Sequence, residues 1–334
     1  MNGPKFPLHR LPKDLCSEVL RTMDLYEIIN YSFLSKKATS MVTALQLPIL
    51  YVDMTMEEQP VMLLQFEGTS IEFTLELQRN NKNITNLYDF PIRVKVKHSS
   101  ETREFESTIS NQQMDLVEWI RHFSLFEENL GIDFHVGDTH FVTFRIPTIR
   151  NTLPKLRGIS ITFSKDEPDE SDIINAQNLL RAFLSNIRCL ELLSVPLQEN
   201  LSLQHIGIAN LEVLYLEYQS NVRFVDLCSW NVEKCIIAKK GDQMSLVDLN
   251  RFFKLWIKGS NPKLNELFIE WETEIIPDWN VLLKGLKIEK EIEDQEEEAK
   301  YFTIRNSRDI CAEIKVCHSE DTASVEMNCP NPVN

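Results

Sequence analysis

Apolar residues recur at helical spacing in residues 6–45 and predict three short helices. The first begins at Pro12, because the fixed φ of proline suits the first turn of a helix. Asp24 and Glu27 predict a capping box for the second helix, and Ser35 is the candidate cap of the third, which Pro48 ends. The apolar positions of the first two helices are Leu15, Val19, Leu20 and Met23, then Leu25, Ile28, Ile29 and Phe33.

The next hundred or so residues change to the two-residue period of strands. Residues 62–66, 71–77 and 92–96 are predicted strands, and apolar and polar side chains alternate in the last two as expected for half-buried antiparallel strands. A helix is predicted around residues 112–127 from apolar positions at helical spacing. Further apolar runs follow at residues 132–136 and 141–144.

A short phrase recurs in residues 150–290: an apolar residue, two of any kind, an apolar residue, one of any kind and a last apolar residue. The phrase is the strand half of a leucine-rich repeat, and its starts are about 21 to 32 residues apart, near the period of such arrays. It also occurs at residues 203–208, too close to the next copy for a full repeat. A generic α/β layer is the alternative. The five copies are Leu156-Ile159-Ile161, Ile187-Leu190-Leu192, Leu211-Leu214-Leu216, Val232-Cys235-Ile237 and Leu264-Leu267-Ile269.

Helix signals lie between these phrases. One apolar stripe covers residues 173–184 and is opened by Ser171 and Asp172. Another covers residues 246–256, with Ser245 as its cap and Gly259 at its end. Beyond them, the acidic run 289–298 predicts a solvated loop or helix extension, and residues 302–316 predict a hairpin.

These patterns together predict an α+β or α/β protein. It begins with a small three-helix module at 1–48. An irregular leucine-rich-repeat-like α/β array follows at 49–320, with an antiparallel β portion near residues 60–100. A disordered tail is expected at 321–334.

Composition narrows the function classes. The chain of 334 residues has a net charge of −15 and a pI near 5.0, which argues against nucleic acid or an anionic membrane as the main partner. Seven scattered cysteines, among them Cys189, Cys228 and Cys235 in apolar runs, indicate reduced thiols in the cytosol or nucleus. No secretory leader or membrane span is expected from the sequence.

The sequence contains no catalytic motif of the common classes, such as a glycine-rich phosphate loop or a nucleophile elbow. His122, His135 and His140 lie close in sequence with Asp133 and Asp138, but their spacing fits no metal-ligand pattern. We therefore expect no metal, no cofactor and no enzyme activity.

The N-terminal residue pattern resembles an F-box of the nematode F-box-B group, whose members begin with Phe-Pro-Leu and Arg-Leu-Pro. Here these are residues 6–8 and 10–12, and Ala38-Thr39 stand where many F-boxes carry a Trp or Arg. The resemblance implies binding to the Skp adaptor, and through it to cullin, in an SCF ubiquitin ligase. By position, the adaptor contacts would be Leu11, Pro12, Leu15, Val19, Leu20, Leu25 and Ile28, with Ser35 and Lys37 near the rim.

Residues 248–264 resemble the F-box-associated type 2 domain that follows the F-box in the same group. The resemblance implies a non-catalytic substrate receptor that promotes protein degradation by holding an unknown protein substrate near the transfer machinery. The alternative is a leucine-rich-repeat-like scaffold without a ligase role, whose first helices only cap the array. Exposure of Leu11, Pro12, Leu15 and Leu20 would favour the receptor. Candidate substrate-binding aromatics are Tyr215, Tyr218, Trp271 and Trp279.

Overall fold

The structure is a computed structural model in which the chain divides into two compact units. The first comprises Met1–Ile132 and His140–Lys155, and the second comprises Asp133–Thr139 and Leu156–Asn334. The boundary predicted between residues 48 and 49 falls inside the first unit. The structure describes residues 11–56, 59–77, 88, 90–100, 104–109, 114–126, 130–136, 156–163, 167–195, 203–218, 222–240, 245–294, 299–319 and 321–329.

The first unit begins with the three predicted helices: α1 (Lys13–Arg21), α2 (Leu25–Ser32) and α3 (Lys36–Thr43). The predicted caps are confirmed. Asp24 accepts a hydrogen bond from the N–H of Tyr26, and Glu27 accepts one from the N–H of Asp24. Ser35 accepts a hydrogen bond from the N–H of Ala38 at 3.1 Å. These caps fix where the chain turns between the short helices.

An antiparallel sheet of five strands in chain order follows in the same unit. The antiparallel portion predicted near residues 60–100 is confirmed, and one strand precedes it and another follows it. A fourth helix, α4 (Leu116–Phe123), packs on this sheet, since the rings of Phe73 and Phe123 lie 5.0 Å apart. The strands are β1 (Ile49–Met56), β2 (Val61–Phe66), β3 (Thr69–Leu77), β4 (Pro91–Ser100) and β5 (Glu104–Ile109).

Strand β6 (Leu130–Val136) contributes residues to both units. In the second unit, five strands then pair in parallel in chain order, and the chain between neighbouring strands carries a helix. The strands are β7 (Leu156–Phe163), β8 (Cys189–Leu193), β9 (Val213–Glu217), β10 (Lys234–Lys240) and β11 (Glu266–Glu272). The helices are α5 (Glu170–Phe183), α6 (Leu203–Ile208), α7 (Phe224–Ser229) and α8 (Leu246–Ile257).

The last two apolar positions of each of the five repeated phrases lie on one of these parallel strands, so the second unit combines parallel strands with helices within a mixed sheet. The sixth occurrence, at residues 203–208, forms helix α6 instead. Helix α5 begins after Asp169, which caps it, rather than after the predicted Ser171 and Asp172. Ser245 caps α8 as predicted, and Gly259 at its end has a φ of +98°, where a side chain would be strained.

The parallel array ends in an antiparallel extension, so it is not a uniform repeat array. Strand β11 pairs antiparallel with β15, and the order continues through β14 and β13 to β12. The leucine-rich-repeat assignment therefore stays a prediction. The added elements are α9 (Trp279–Leu283), β12 (Ile288–Asp294), β13 (Ala299–Arg305), β14 (Cys311–His318) and β15 (Thr322–Asn328).

Two predictions about this C-terminal region are corrected. The tail predicted to be disordered from residue 321 contains strand β15, whose Ala323, Val325 and Met327 are buried at alternate positions. These apolar residues have the two-residue spacing of a strand. The sequence interpretation overlooked this signal. The acidic run begins as strand β12 rather than as a loop or helix, and the hairpin predicted at 302–316 is confirmed by β13 and β14.

Buried asparagines join the helices of the second unit. The side-chain amide of Asn250 in α8 donates to the carbonyls of Leu282 at 2.6 Å and Lys284 at 3.0 Å. The amide of Asn261 donates to the carbonyls of Leu227 and Trp230, both at 3.0 Å. Carbonyls at helix ends have no partner within the helix, so these amides satisfy groups that would otherwise be buried unpaired.

Candidate partner-binding surfaces

Helix α1 has one buried face and one exposed apolar face. Cys16 and Leu20 are buried, whereas Leu15 is 54% exposed and Val19 is 40% exposed. Leu15 and Val19 are four residues apart and therefore share one face of the helix. Pro12, directly before the helix, is exposed, and its carbonyl accepts the N–H of Cys16 at 3.0 Å. The outer face of α1 is defined here as Pro12, Leu15 and Val19.

The other predicted adaptor contacts differ in how far they are buried. Leu20 and Ile28 are buried, so in this structure they hold the helices together rather than face a partner. Leu11 and Leu25 are half-buried, and Ser35 and Lys37 are exposed. Leu34, which was not among the predicted contacts, is 69% exposed in the turn between α2 and α3.

Helix α2 attaches the N-terminal helices to the rest of the first unit. The hydroxyl of Tyr26 lies 2.7 Å from that of Ser107 in β5, and its ring meets Phe105 edge-to-face at 5.0 Å. Phe33, at the end of α2, packs against Trp119 of α4 at 4.9 Å and Phe73 of β3 at 5.9 Å. The three helices are therefore part of a larger aromatic core and are not an isolated module.

His122 completes this attachment. Its ring stacks on Phe33 at 4.4 Å, and its Nε2 lies 2.8 Å from the hydroxyl of Ser32. Burial lowers the pKa of His122 to about 4, so the imidazole is neutral near pH 7. This histidine packs between α2 and α4, and among the described residues it belongs to no group of three potential metal ligands.

No group of three potential metal ligands is found in the described ranges. His140 and Asp138 lie outside them. Over the same ranges, none of the helices combines the length and apolar character that crossing a membrane requires. None of the seven cysteines, all of which lie in the described ranges, is in a disulfide; Cys235 is buried, and Cys189 and Cys228 are half-buried.

The parallel strands of the second unit have a buried face and an open face. On β11, Leu267, Ile269 and Trp271 are buried, and the alternating positions between them point the other way. The same alternation holds along β8, β9 and β10. The open face is defined here as the half-buried or exposed residues Glu191, Tyr215, Glu217, Lys234, Ile236, Glu266, Phe268 and Glu270.

The four predicted substrate-binding aromatics lie in different settings. Trp271, which we had expected at the surface, is buried, because strand alternation places its side chain on the inner face, where it meets Trp279 edge-to-face at 6.3 Å. Trp279 is half-buried. Tyr215 is on the open face and donates to Glu217 at 3.0 Å, while Tyr218, just beyond β9, is exposed with Lys239 over its ring at 5.2 Å.

Comparison with known families identifies the class of protein to which these elements belong. Residues 8–50, which contain α1, α2 and α3, match the F-box domain family. Residues 202–269, which extend from α6 into β11, match the family described as F-box associated. The chain thus carries an F-box followed by an F-box-associated domain, and the predicted combination is confirmed.

One relative aligns with most of this chain. The chain is 22% identical over 270 residues to the F-box associated domain-containing protein sdz-33 of Caenorhabditis elegans, covering 79% of this chain and 78% of that protein. The nematode resemblance of the sequence is thereby confirmed. No solved structure matches the chain significantly.

Sequence reasoning missed the apolar residues of the open face. Ile236 and Phe268 lie between the last two apolar positions of the repeated phrase, where the phrase allows any residue. When side chains alternate along a strand, an apolar residue on the outward-facing side indicates a binding surface. That signal was available once the strands were predicted.

Proposed function

We propose that this protein is the substrate-recognition subunit of an SCF ubiquitin ligase. The N-terminal helices bind a Skp-type adaptor and, through it, cullin, and the second unit binds a target protein. The chain contributes no catalytic step of its own. It increases the rate of ubiquitin transfer by holding the target near the transfer machinery, which replaces a bimolecular encounter by a local one. Such a complex would act in the cytosol or nucleus.

The outer face of α1 is the observation that supports adaptor binding most directly. Leu15 and Val19 are exposed on one side of a helix whose other side is buried. A helix with a buried stripe normally presents polar residues to water on its outer side. Apolar residues there indicate a surface that a partner covers.

The alternative is a scaffold in which the helices only cap the first unit and recruit no ligase. The contacts of Tyr26 and Phe33 with the sheet and with α4 favour this alternative, because they show that the helices contribute to the core. These contacts are made by α2, however, and they leave the outer face of α1 free for a partner. Attachment and adaptor binding are therefore compatible.

Co-purification of the full chain with a Skp adaptor tests the proposal. The full chain is required, because a fragment ending after α3 would lose the contacts of α2 with β5 and α4. The double variant Leu11→Ala, Pro12→Ala removes the first predicted contacts. A matched control replaces Val247 and Pro262, exposed residues of the second unit, by alanine.

We expect the wild type and the control to co-purify with the adaptor, and the double variant to co-purify with much less of it. Absence of adaptor from the folded wild type would favour the scaffold instead. Equal retention of the adaptor by all three proteins would show that the adaptor does not bind at the start of α1.

A further inference from the structure

The open face carries an apolar row across three parallel strands. The strand register places Tyr215 beside Ile236, and Ile236 beside Phe268. Neighbouring strands are about 4.8 Å apart, so the row spans roughly 10 Å. Acidic residues lie at both ends of the row. In the strand register, Glu191 of β8 is the neighbour of Tyr215, and Glu326 of β15 is the neighbour of Phe268.

Several carboxylates at one end of this row have no basic partner among the described residues. The lysines of the open face and its edge are already paired, Lys234 with Glu266 at 2.6 Å and Lys239 with Glu217 at 2.9 Å. Glu270 follows Phe268 on the same face, and Glu272, Glu274 and Asp321 lie at the adjoining end of β11. Within the described ranges, these four acidic residues form no ion pair.

Two isoleucines extend the apolar surface at the same end of β11. Ile275 is 75% exposed and Ile276 is 72% exposed. Their loop is held in place, because Thr273 Oγ accepts the N–H of Ile275 at 3.1 Å and the N–H of Thr273 donates to the carbonyl of Asp321 at 2.9 Å. An ordered loop that presents two large aliphatic side chains to solvent is preorganised for binding.

We propose that the open face of the second unit binds a basic protein segment in which lysine or arginine side chains alternate with apolar anchors. The apolar residues of the segment would pack on the Tyr215–Ile236–Phe268 row and on Ile275 and Ile276. Its basic side chains would pair with Glu270, Glu272 and Glu274. This inference rests on the proposed function, because it gives the chemical class of the target that the receptor would bring to the ligase.

The charge pattern determines the choice of partner. Complementary charges increase association rates and exclude partners of like charge, while buried apolar and aromatic anchors supply most of the affinity. An acidic segment would meet uncompensated carboxylates at this face. A purely basic segment would leave the apolar row exposed to water, so both properties are required together.

Fluorescence anisotropy of labelled peptides with the full chain tests this inference. The probe is a short peptide that alternates lysine with leucine and phenylalanine. One companion peptide has glutamate in place of each lysine, and another has serine in place of each apolar residue. The proposal expects the probe to bind at least about tenfold more tightly than either companion.

Variants of the protein locate the site. Glu270→Lys with Glu272→Lys is expected to weaken binding of the probe about tenfold, and Phe268→Ala to do the same. The control, Glu167→Lys with Glu291→Lys, makes the same change of charge at two exposed residues outside the open face and is expected to change the dissociation constant less than about twofold. Because the charge-reversal variants change surface residues only, they remain informative if Phe268→Ala is unstable.

Equal weakening by the charge-reversal pair and its control, or tight binding of the serine companion, would overturn the inference. Co-purification of the same variants with the adaptor separates the two proposals. Retained adaptor with no binding of the probe would contradict the target class alone. Binding of the probe by a wild type that retains no adaptor would contradict the ligase role and leave the open face as a peptide-binding surface.

Discussion

The hydroxyl of Ser32 in α2 lies 2.8 Å from Nε2 of His122 in α4. The same hydroxyl donates its proton to the carbonyl of Ile29 at 2.6 Å, so it accepts the bond from His122. This arrangement requires a proton on Nε2, so the neutral ring is the Nε2–H tautomer. A hydrogen bond between two helices thus fixes the tautomer of one buried ring, and burial of that ring disfavours its charged form.

Stability is expected to fall in mild acid because of His122. Its pKa is about 4 in the folded chain and near the usual 6.5 when unfolded, so the unfolded chain binds the proton more tightly. The contribution is complete above pH 6.5 and declines as the pH falls toward 4. Between about pH 7 and pH 5 the free energy of unfolding should decrease by about 2 kcal/mol from this group. Denaturant unfolding at the two pH values measures the change.

The variant His122→Phe is the control for this prediction, because it keeps a ring against Phe33 and cannot be protonated. Its free energy of unfolding should fall less between the two pH values than that of the wild type, by about 2 kcal/mol. Equal decreases in both proteins would show that other groups cause the acid sensitivity.

Gly158 is required where β7 and β8 approach each other. A Cβ at this position would lie 2.6 Å from the carbonyl oxygen and 2.7 Å from the Cβ of Cys189, its partner in the parallel register. Gly158→Ala should therefore lower the free energy of unfolding by about 2 kcal/mol, since both contacts involve groups held by the sheet. Ser160→Ala on the same strand should cost much less. A stable Gly158→Ala protein would mean that the strands can separate without loss.

Asn250 is expected to be a structural residue of the F-box-associated region. Asn250→Ala removes both donors to the carbonyls of Leu282 and Lys284 and should cost about 2 kcal/mol, because buried acceptors are left unpaired. The exposed Asn265 provides the comparison, and Asn265→Ala should change stability by less than about 0.5 kcal/mol. Similar midpoints of denaturant unfolding for the two variants would contradict this role.

Local signals in the sequence were sufficient for most elements. Asp24, Glu27 and Ser35 predicted the helix caps, because side-chain caps act within three residues of sequence. The repeated phrase predicted the positions of β7 to β11, because burial on one face of a parallel strand fixes the spacing of apolar residues. These features depend on neighbours in sequence.

Features that depend on distant residues were not predicted. The attachment of α2 to the sheet joins Phe33 to Trp119, and no periodicity in either helix reveals this pairing. The alternation within β15 was a local signal, but its pairing with β11 joins residues 50 to 62 positions apart and could not be read from it. Trp271 was chosen as a candidate contact because aromatic residues are common binding hot spots, although the two-residue spacing from Ile269 already placed its side chain on the buried face of β11.

The most direct measurement is a calorimetric titration of the Skp adaptor into the full chain and into the variant Leu15→Asp, Val19→Asp. Both residues are exposed, so the variant should fold, while two carboxylates on the outer face of α1 would have to be desolvated in a complex. Val247→Asp is the control, since Val247 is 49% exposed on α8 of the second unit.

We expect the wild type and Val247→Asp to bind the adaptor alike and the α1 variant to bind it at least about a hundredfold more weakly. Unchanged affinity of the α1 variant, with folding confirmed by circular dichroism, would contradict adaptor binding through the outer face of α1.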